Sequence, residues 1–299
     1  MMGTKKMNKK DFFHSDTIKL VYWNKPNFGD ILSPYIISSF TGKKIVYKSG
    51  YYGLFHLLKH TLKCLLLFKF KDLHAILFPW EINLLGIGSI ISLGNKHSAI
   101  WGSGFLSNKQ KFNGGKIYAV RGKLTNKKLI NMGYNGTFTY GDPAMLIPLL
   151  IKPSEVKSTE VAIIPHWTET DYFMKKYGMK YKIIDLRTKD VKKVISEITS
   201  CNYILSTSLH GIIVSHAYGI PALWIKYRTL HDDDFKFYDY FSSVNIDCYE
   251  GFTNLDEILS SEQDSKLLFR LHNNIILPNI EIHDIQQNLL NVAPFDIIK

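Results

Sequence analysis

The sequence predicts an α/β fold in which parallel sheets are flanked by helices, divided into two domains. Short apolar runs alternate with segments of helical apolar spacing over most of the chain. The apolar runs end in glycine-bearing or hydroxyl-bearing turns, where a strand hands over to a helix. A chain of 299 residues, 45% hydrophobic and 21% charged, is also long enough to bury two cores.

The elements follow in order. "IKLVYW" (Ile18 to Trp23) reads as a buried strand, "NKPNFGD" supplies a turn, and "ILSPYIISSF" has the apolar spacing of a helix. "SAIWGSGF" is a strand that runs into a glycine turn. "KIYAVRG" is another strand, followed by the helix "KLTNKKLINMG" with Gly133 at its C-terminus. In the second half "VAIIPHW", "KIIDL", "YILSTS" and "PALWI" read as short strands, with "DVKKVISEITS" and "LHGIIVSHAYG" as helices between them. "IPLLIKPSEVKSTE" carries two prolines and a charged, serine-bearing stretch, so the boundary falls at 152/153 and gives domains 1–152 and 153–299.

Lysine and arginine outnumber aspartate and glutamate by 37 to 26, a net charge of +11, which favours anionic partners without choosing among them. RNP-like aromatic motifs, zinc-finger spacing and a basic low-complexity tail are missing from the sequence, which argues against nucleic acid as the partner. Three scattered cysteines, Cys64, Cys201 and Cys248, suggest neither a disulfide framework nor a metal site and fit a reducing cytoplasm. "MMGTKKMNKKDFFHSD" lacks the apolar core of a signal peptide and reads as a loose arm, and no stretch has the uninterrupted length of a membrane span. "LFHLLKHTLKCLLLFKF" (Leu54 to Phe70) is a basic amphipathic helix with His56, Lys59, His60 and Lys63 at neighbour spacing. Two readings stay open for it: a core-packed helix with a solvated polar edge, or a helix lying on an anionic membrane.

In parallel α/β sheets ligands gather outside the carboxyl ends of strands, where helix N-termini offer unpaired N–H groups to anions. The turns there hold Asn27, Gly29 and Asp30; Gly102, Ser103 and Gly104; Arg121 and Gly122; His166; Ser208, His210 and Gly211; and Lys226 with Arg228. Cations, histidines and hydroxyls in that mixture suit a small, dense anion. No GxGxxG follows a strand and no GxxxxGK[ST] occurs, which disfavours a redox dinucleotide and a P-loop. Each residue also has an ordinary structural reading. His210 is either a core histidine or an acid that gains its proton together with a bound anion. Arg121 either pairs with a surface acid or grips a carboxylate or phosphate with its planar fork. Asp30 is an N-cap or a base, and Asp142 in "YGDPAML" reads as a turn former ahead of Pro143.

"NFGDILSP", "GIGSI", "IWGSGF", "AVRGKLT", "GDPAMLIP", "IIPHW", "STSLHGIIVSHAYGIPALWI" and "DFKFYDYFSSVNID", taken in this order, resemble the polysaccharide pyruvyl transferase family from Trp23 to about Asp247. The resemblance implies two Rossmann-like domains facing across a cleft in a GT-B-like arrangement. It implies phosphoenolpyruvate as donor, held on the second domain, and a sugar of a bacterial surface polysaccharide as acceptor, met by the first. The product would be a pyruvate ketal, with no cofactor and no metal. On this reading His210 assists phosphate departure, Arg121 holds an anionic group of the donor and Asp30 orients or deprotonates the acceptor hydroxyl. Asn27, Gly29, Gly102, Ser103, Gly104, His166, Ser208, Gly211, Lys226 and Arg228 would line the substrate site. The expected location is cytoplasmic, with a lipid-linked acceptor and peripheral contact with the inner face of the membrane left open. The alternatives are a GT-B-type glycosyltransferase using a nucleotide sugar and a basic membrane-associated binding protein.

Overall fold

The computed structural model describes residues 16–298 except 52, 70–72, 74, 79 and 229–232. The expected N-terminal arm up to residue 15, the side chains of Leu54 and His56, and Phe70 lie outside the described part.

Two parallel sheets are built, one from each half of the chain. The first contains β1 (Thr17–Val21), β2 (Lys44–Lys48), β3 (Asn83–Leu85), β4 (Ser98–Trp101) and β5 (Lys116–Ala119) in the order β2-β1-β3-β4-β5. The second contains β6 (Thr159–Ile164), β7 (Lys182–Ile183), β8 (Cys201–Ser206) and β9 (Ala222–Trp224) in the order β7-β6-β8-β9. Every pairing is parallel, with Ile18 beside Ile45 in one sheet and Val161 beside Tyr203 in the other. In both sheets the second strand lies on one side of the first and the third on the other. The order therefore reverses between β1 and β3 and again between β6 and β8, and a crevice forms at the carboxyl end of such a reversal.

The flanking helices are α1 (Phe28–Thr41), α2 (Leu54–Leu66), α3 (Lys123–Asn131), α4 (Thr170–Tyr177), α5 (Val191–Thr199), α6 (Leu209–Ala217), α7 (Phe235–Ser243), α8 (Leu255–Ile258), α9 (Glu262–Leu271) and α10 (Ile282–Asn291). Helix α1 ends where Gly42, at φ +64°, donates its N–H to the Ser38 carbonyl at 2.8 Å, a left-handed closure that favours glycine. Gly133 closes α3 in the same region, at φ +84°.

A 3-10 helix, Pro143–Leu149, lies where the halves meet and packs against α1, α6 and α10. Its Met145, Leu146 and Ile147 are fully buried in one apolar cluster that runs from Ile18 and Leu20 of β1 to Val161 and Ile163 of β6. Although α10 comes last in the chain, it packs on the first half. The Trp101 indole donates to the Leu289 carbonyl at 2.9 Å, and the Phe295 ring meets Trp101 edge to face at 5.0 Å. The expected boundary at 152/153 lies between the two sheets in sequence, but it assigns this returning helix to the half it does not touch through these contacts. Among the described residues no helix is long and apolar enough to cross a membrane.

Candidate active site

The two sheet reversals face each other, and the contact is a glycine against a histidine. After β1 the chain turns through Asn27 into α1, and the Phe28 N–H is satisfied by the Leu186 carbonyl of the other half at 2.8 Å. That bond brings Gly29 flat against the His210 ring. A Cβ on Gly29 would stand 2.2 Å from His210 Nδ1, so only glycine fits. The next residue, Asp30, accepts a hydrogen bond from Asn27 Nδ2 at 2.6 Å. Burial raises its carboxyl to about 7, and the Asn27 bond restrains the rise. Asp30 also faces the loop that follows β3, where Gly88 adopts φ +112°.

His210 occupies the first turn of α6. Ser208 caps this helix with extended backbone, and Ser206 Oγ accepts from the Ser208 N–H at 3.0 Å while donating to the Ile164 carbonyl at 2.8 Å. Imidazole Nε2 is buried without a hydrogen-bond partner, and so is Asp142 Oδ2, which lies 3.9 Å from it. The gap is too wide for a hydrogen bond. Asp142 does form the expected turn, since its Oδ1 accepts from the Ala144 N–H at 2.9 Å. The second carboxylate oxygen points at His210 instead. Burial pushes Asp142 up to about 6, against the pull of backbone N–H groups and Arg121. His210 is pushed down to about 3 by burial and then by the positive charges of Arg121 and Lys236. At neutral pH the arrangement is thus a neutral imidazole opposite a carboxylate, each with one buried polar atom left unsatisfied.

Arg121 departs from expectation. It is fully buried, and its fork is engaged by protein: Nε donates to Asp239 Oδ2 at 2.9 Å, Nη1 to Ser89 Oγ at 2.6 Å and Nη2 to the Phe105 carbonyl at 2.6 Å. Asp239, on α7, also accepts from the Thr125 N–H and hydroxyl, both at 2.7 Å. Arg121 therefore neither pairs with a surface acid nor opens its fork to a ligand. It forms a buried ion pair between the halves and reaches His210 through its field.

Beyond His210 a small cavity of about 10 Å³, room for roughly one water, lies between Leu106 of the first half and Glu169, Thr207, Lys226, Arg228, Asp233, Asp234 and Lys236 of the second. Lys226 pairs with Asp234 at 2.5 Å and Arg228 with Glu169 at 3.3 Å, so both cations are held at the rim by carboxylates. Lys236 is nearly buried, and burial together with Arg121 lowers its ammonium to about 8. The His166 N–H donates to Thr207 Oγ1 at 2.7 Å, which places His166 beside this pocket.

Several of the expected substrate-lining residues shape the backbone instead. Gly211 lets α6 sit on β8, because a Cβ there would lie 2.4 Å from Ser206 Oγ. Gly102, at φ +90°, makes room for Pro143, and Gly104 for the Arg121 guanidinium. The buried Ser103 hydroxyl donates to the Gly88 carbonyl at 2.9 Å and steadies the loop under Asp30. Sequence reasoning missed Asp239, Lys236 and the second role of Asp142. The signal available for the first two was a pair of charges on an otherwise aromatic helix, "FKFYDYF". Among the described residues no group of three or more His, Cys, Asp or Glu is arranged to hold a metal.

Residues 28–229 match the polysaccharide pyruvyl transferase family over two thirds of the chain. The chain belongs to this family. The pyruvyl transferase match takes in Asp30, Arg121, Asp142, His210, Lys226 and Arg228, and it stops short of Lys236 and Asp239. An uncharacterized protein of Acanthamoeba polyphaga mimivirus is 34% identical over 173 residues, covering 54% of this chain and 60% of that protein. The succinoglycan biosynthesis protein ExoV of Rhizobium meliloti is 26% identical over 184 residues, covering 56% of this chain and 55% of its own length. The chain thus spans somewhat over half the length of these curated relatives. No solved structure matches.

Proposed function

We propose that the protein transfers the pyruvyl group of phosphoenolpyruvate to two hydroxyls of a saccharide, forming a ketal and releasing phosphate. The observation that carries this reading is the pair of orphaned buried atoms, His210 Nε2 and Asp142 Oδ2, at the meeting of the two sheet reversals, beside a pocket in which Lys226, Arg228 and Lys236 face Glu169, Asp233 and Asp234. Phosphoenolpyruvate carries a carboxylate and a phosphate on one three-carbon frame; on binding, Lys226 and Arg228 would exchange Asp234 and Glu169 for these anions, and Lys236 adds its charge. Burial is the main cause of the neutral His210 ring, with the fields of Arg121 and Lys236 adding to it; an arriving anion offsets those fields and raises the ring's affinity for a proton. Asp30, titrating near neutrality, suits removal of a proton from the acceptor hydroxyl.

The bonds balance as follows. The first hydroxyl oxygen bonds to C2 and loses its proton while the methylene carbon C3 gains one. The second hydroxyl oxygen bonds to C2 and loses its proton as the C2–O bond to phosphate breaks, and phosphate departs with a proton from His210. Arg121 acts by position: its buried charge tunes His210 and Asp142 and touches no substrate.

Phosphate release from phosphoenolpyruvate in the presence of an acceptor glycan tests the reading. His210→Ala is expected to slow it by at least about a hundredfold, and undiminished turnover would overturn the role of the ring. Protection against thermal unfolding separates donor classes. Phosphoenolpyruvate at a hundred times its Kd is expected to stabilise by about 2.7 kcal/mol, whereas stabilisation by a nucleotide sugar alone would point to glycosyl transfer.

A further inference from the structure

Among the described side chains of helix α2, those packed on the protein form one narrow face. Cys64 is 3% exposed, and Leu57 and Thr61 lie half-buried at the i−7 and i−3 positions beside it. The neighbouring stripe, Phe55, Leu58, Leu62, Leu65 and Leu66, faces outward, with Phe55 83%, Leu62 59% and Leu66 69% exposed. Along the far edge of that stripe run Lys59 and Lys63, which are likewise exposed. The chain from Leu54 to Phe70 contains no acidic residue. In the same β2-to-β3 crossover Phe78 and Trp80 are also exposed, with their rings edge to face at 5.4 Å. Soluble monomers rarely leave so many large apolar side chains contiguous and uncovered.

We propose that α2 docks the protein on an anionic lipid bilayer, lying in the interface with its leucine stripe among the acyl chains and its lysines at the phosphates. Charge complementarity selects this occupant. A second copy of the chain laid on the same stripe would bring Lys59 and Lys63 of both copies together with no carboxylate on either helix, whereas anionic headgroups supply the missing charge. An apolar stripe bordered by lysines is also the arrangement in which long basic side chains extend their charges to the headgroups while their stems cover apolar surface. The placement has a consequence for access. Leu57 and His60 line a cavity with Val21 at the end of β1 and Lys48 and Ser49 at the end of β2. The docking helix therefore covers the same carboxyl edge of the first sheet from which Asp30 emerges.

Co-sedimentation with vesicles of phosphatidylcholine alone and of phosphatidylcholine with phosphatidylglycerol tests the proposal, and it needs no assumption about the reaction. The full chain is expected to bind the anionic vesicles and to bind the neutral ones weakly. Lys59→Gln with Lys63→Gln is expected to reduce anionic binding by about thirtyfold at low salt, and Leu58→Asp with Leu62→Asp to abolish it. These side chains are exposed, so the variants should keep the wild-type melting temperature, and release of phosphate with a water-soluble acceptor should be unchanged in them. Failure of the intact protein to sediment with anionic vesicles, or equal binding by the Leu58→Asp, Leu62→Asp variant, would overturn the proposal. So would a dimer in light scattering that the same two substitutions dissociate.

Discussion

The Gly29→Ala substitution isolates the contact on which the site depends. Glycine to alanine in a helix ordinarily stabilises, by up to about 1 kcal/mol. Gly29 lies in the first turn of α1 with no left-handed backbone to oppose the change. Here the added methyl would stand 2.2 Å from His210 Nδ1 and 2.7 Å from Cγ, while ordinary contact begins at 3.4 Å. The ring or the helix must retreat by about 1.2 Å, the difference between 3.4 and 2.2 Å. Overpacking of this kind costs about 1–3 kcal/mol, which exceeds the propensity gain and reverses its sign. A shift of this size between reacting groups costs about a hundredfold in rate. Gly29→Ala should therefore melt a few degrees below wild type and release phosphate from phosphoenolpyruvate about a hundredfold more slowly. Thermal melting and a phosphate-release assay on the same preparation measure both. A variant that melted higher with full turnover would show that the glycine does not position His210, and the argument for the junction would fail.

The buried ion pair and the near-neutral carboxyl give two further tests. Asp239→Ala leaves the Arg121 guanidinium fully buried without its counter-charge and should cost about 3–5 kcal/mol in urea unfolding, and wild-type stability would refute the pairing. Because the Asp30 carboxyl is raised from 3.8 to about 7 in the folded protein, it favours folding fully below about pH 4, and that contribution is lost as pH rises through 7. Relative to Asp30→Asn, wild type should therefore gain stability as pH falls from 7 toward 4. A parallel pH profile for the two proteins would show that burial does not shift this group. If Asp30 is the base, kcat/KM should rise with pH through about 7 in wild type, and Asp30→Asn should lose that limb.

What was legible in the sequence was mostly local. The strands "SAIW" and "YILS", the helix after "SLHG" and the glycine closure of α3 each follow from apolar period and turn chemistry within a few residues. The short β3 and the two-residue β7 carry too little pattern to be read with the right bounds. At the site, the placement of His210 at a strand-to-helix turn was readable, because hydroxyls, a helix start and a histidine coincide there. Its partner was not, because Asp142 satisfies its local turn with one oxygen and shows its other role only when two halves of the chain are brought together. Arg121 was read with the right prominence and the wrong neighbour: Asp239 lies 118 positions away, and no local pattern announces it. Helix α2 shows the opposite limit. Its amphipathic pattern was plain, but which apolar residues are covered depends on how the helix sits over β1 and β2.

The return of α10 to the first half ties the molecule together twice. The polypeptide crosses once between the 3-10 helix and β6 and again between α9 and α10, where the Gln286 amide is fastened to the Met145 carbonyl at 2.8 Å. A body joined by two separate tethers cannot drift apart or twist freely. With the common apolar core and the buried Arg121–Asp239 pair, the double crossing keeps Gly29 and His210 in fixed register, much as two rivets hold a lap joint that one would let turn.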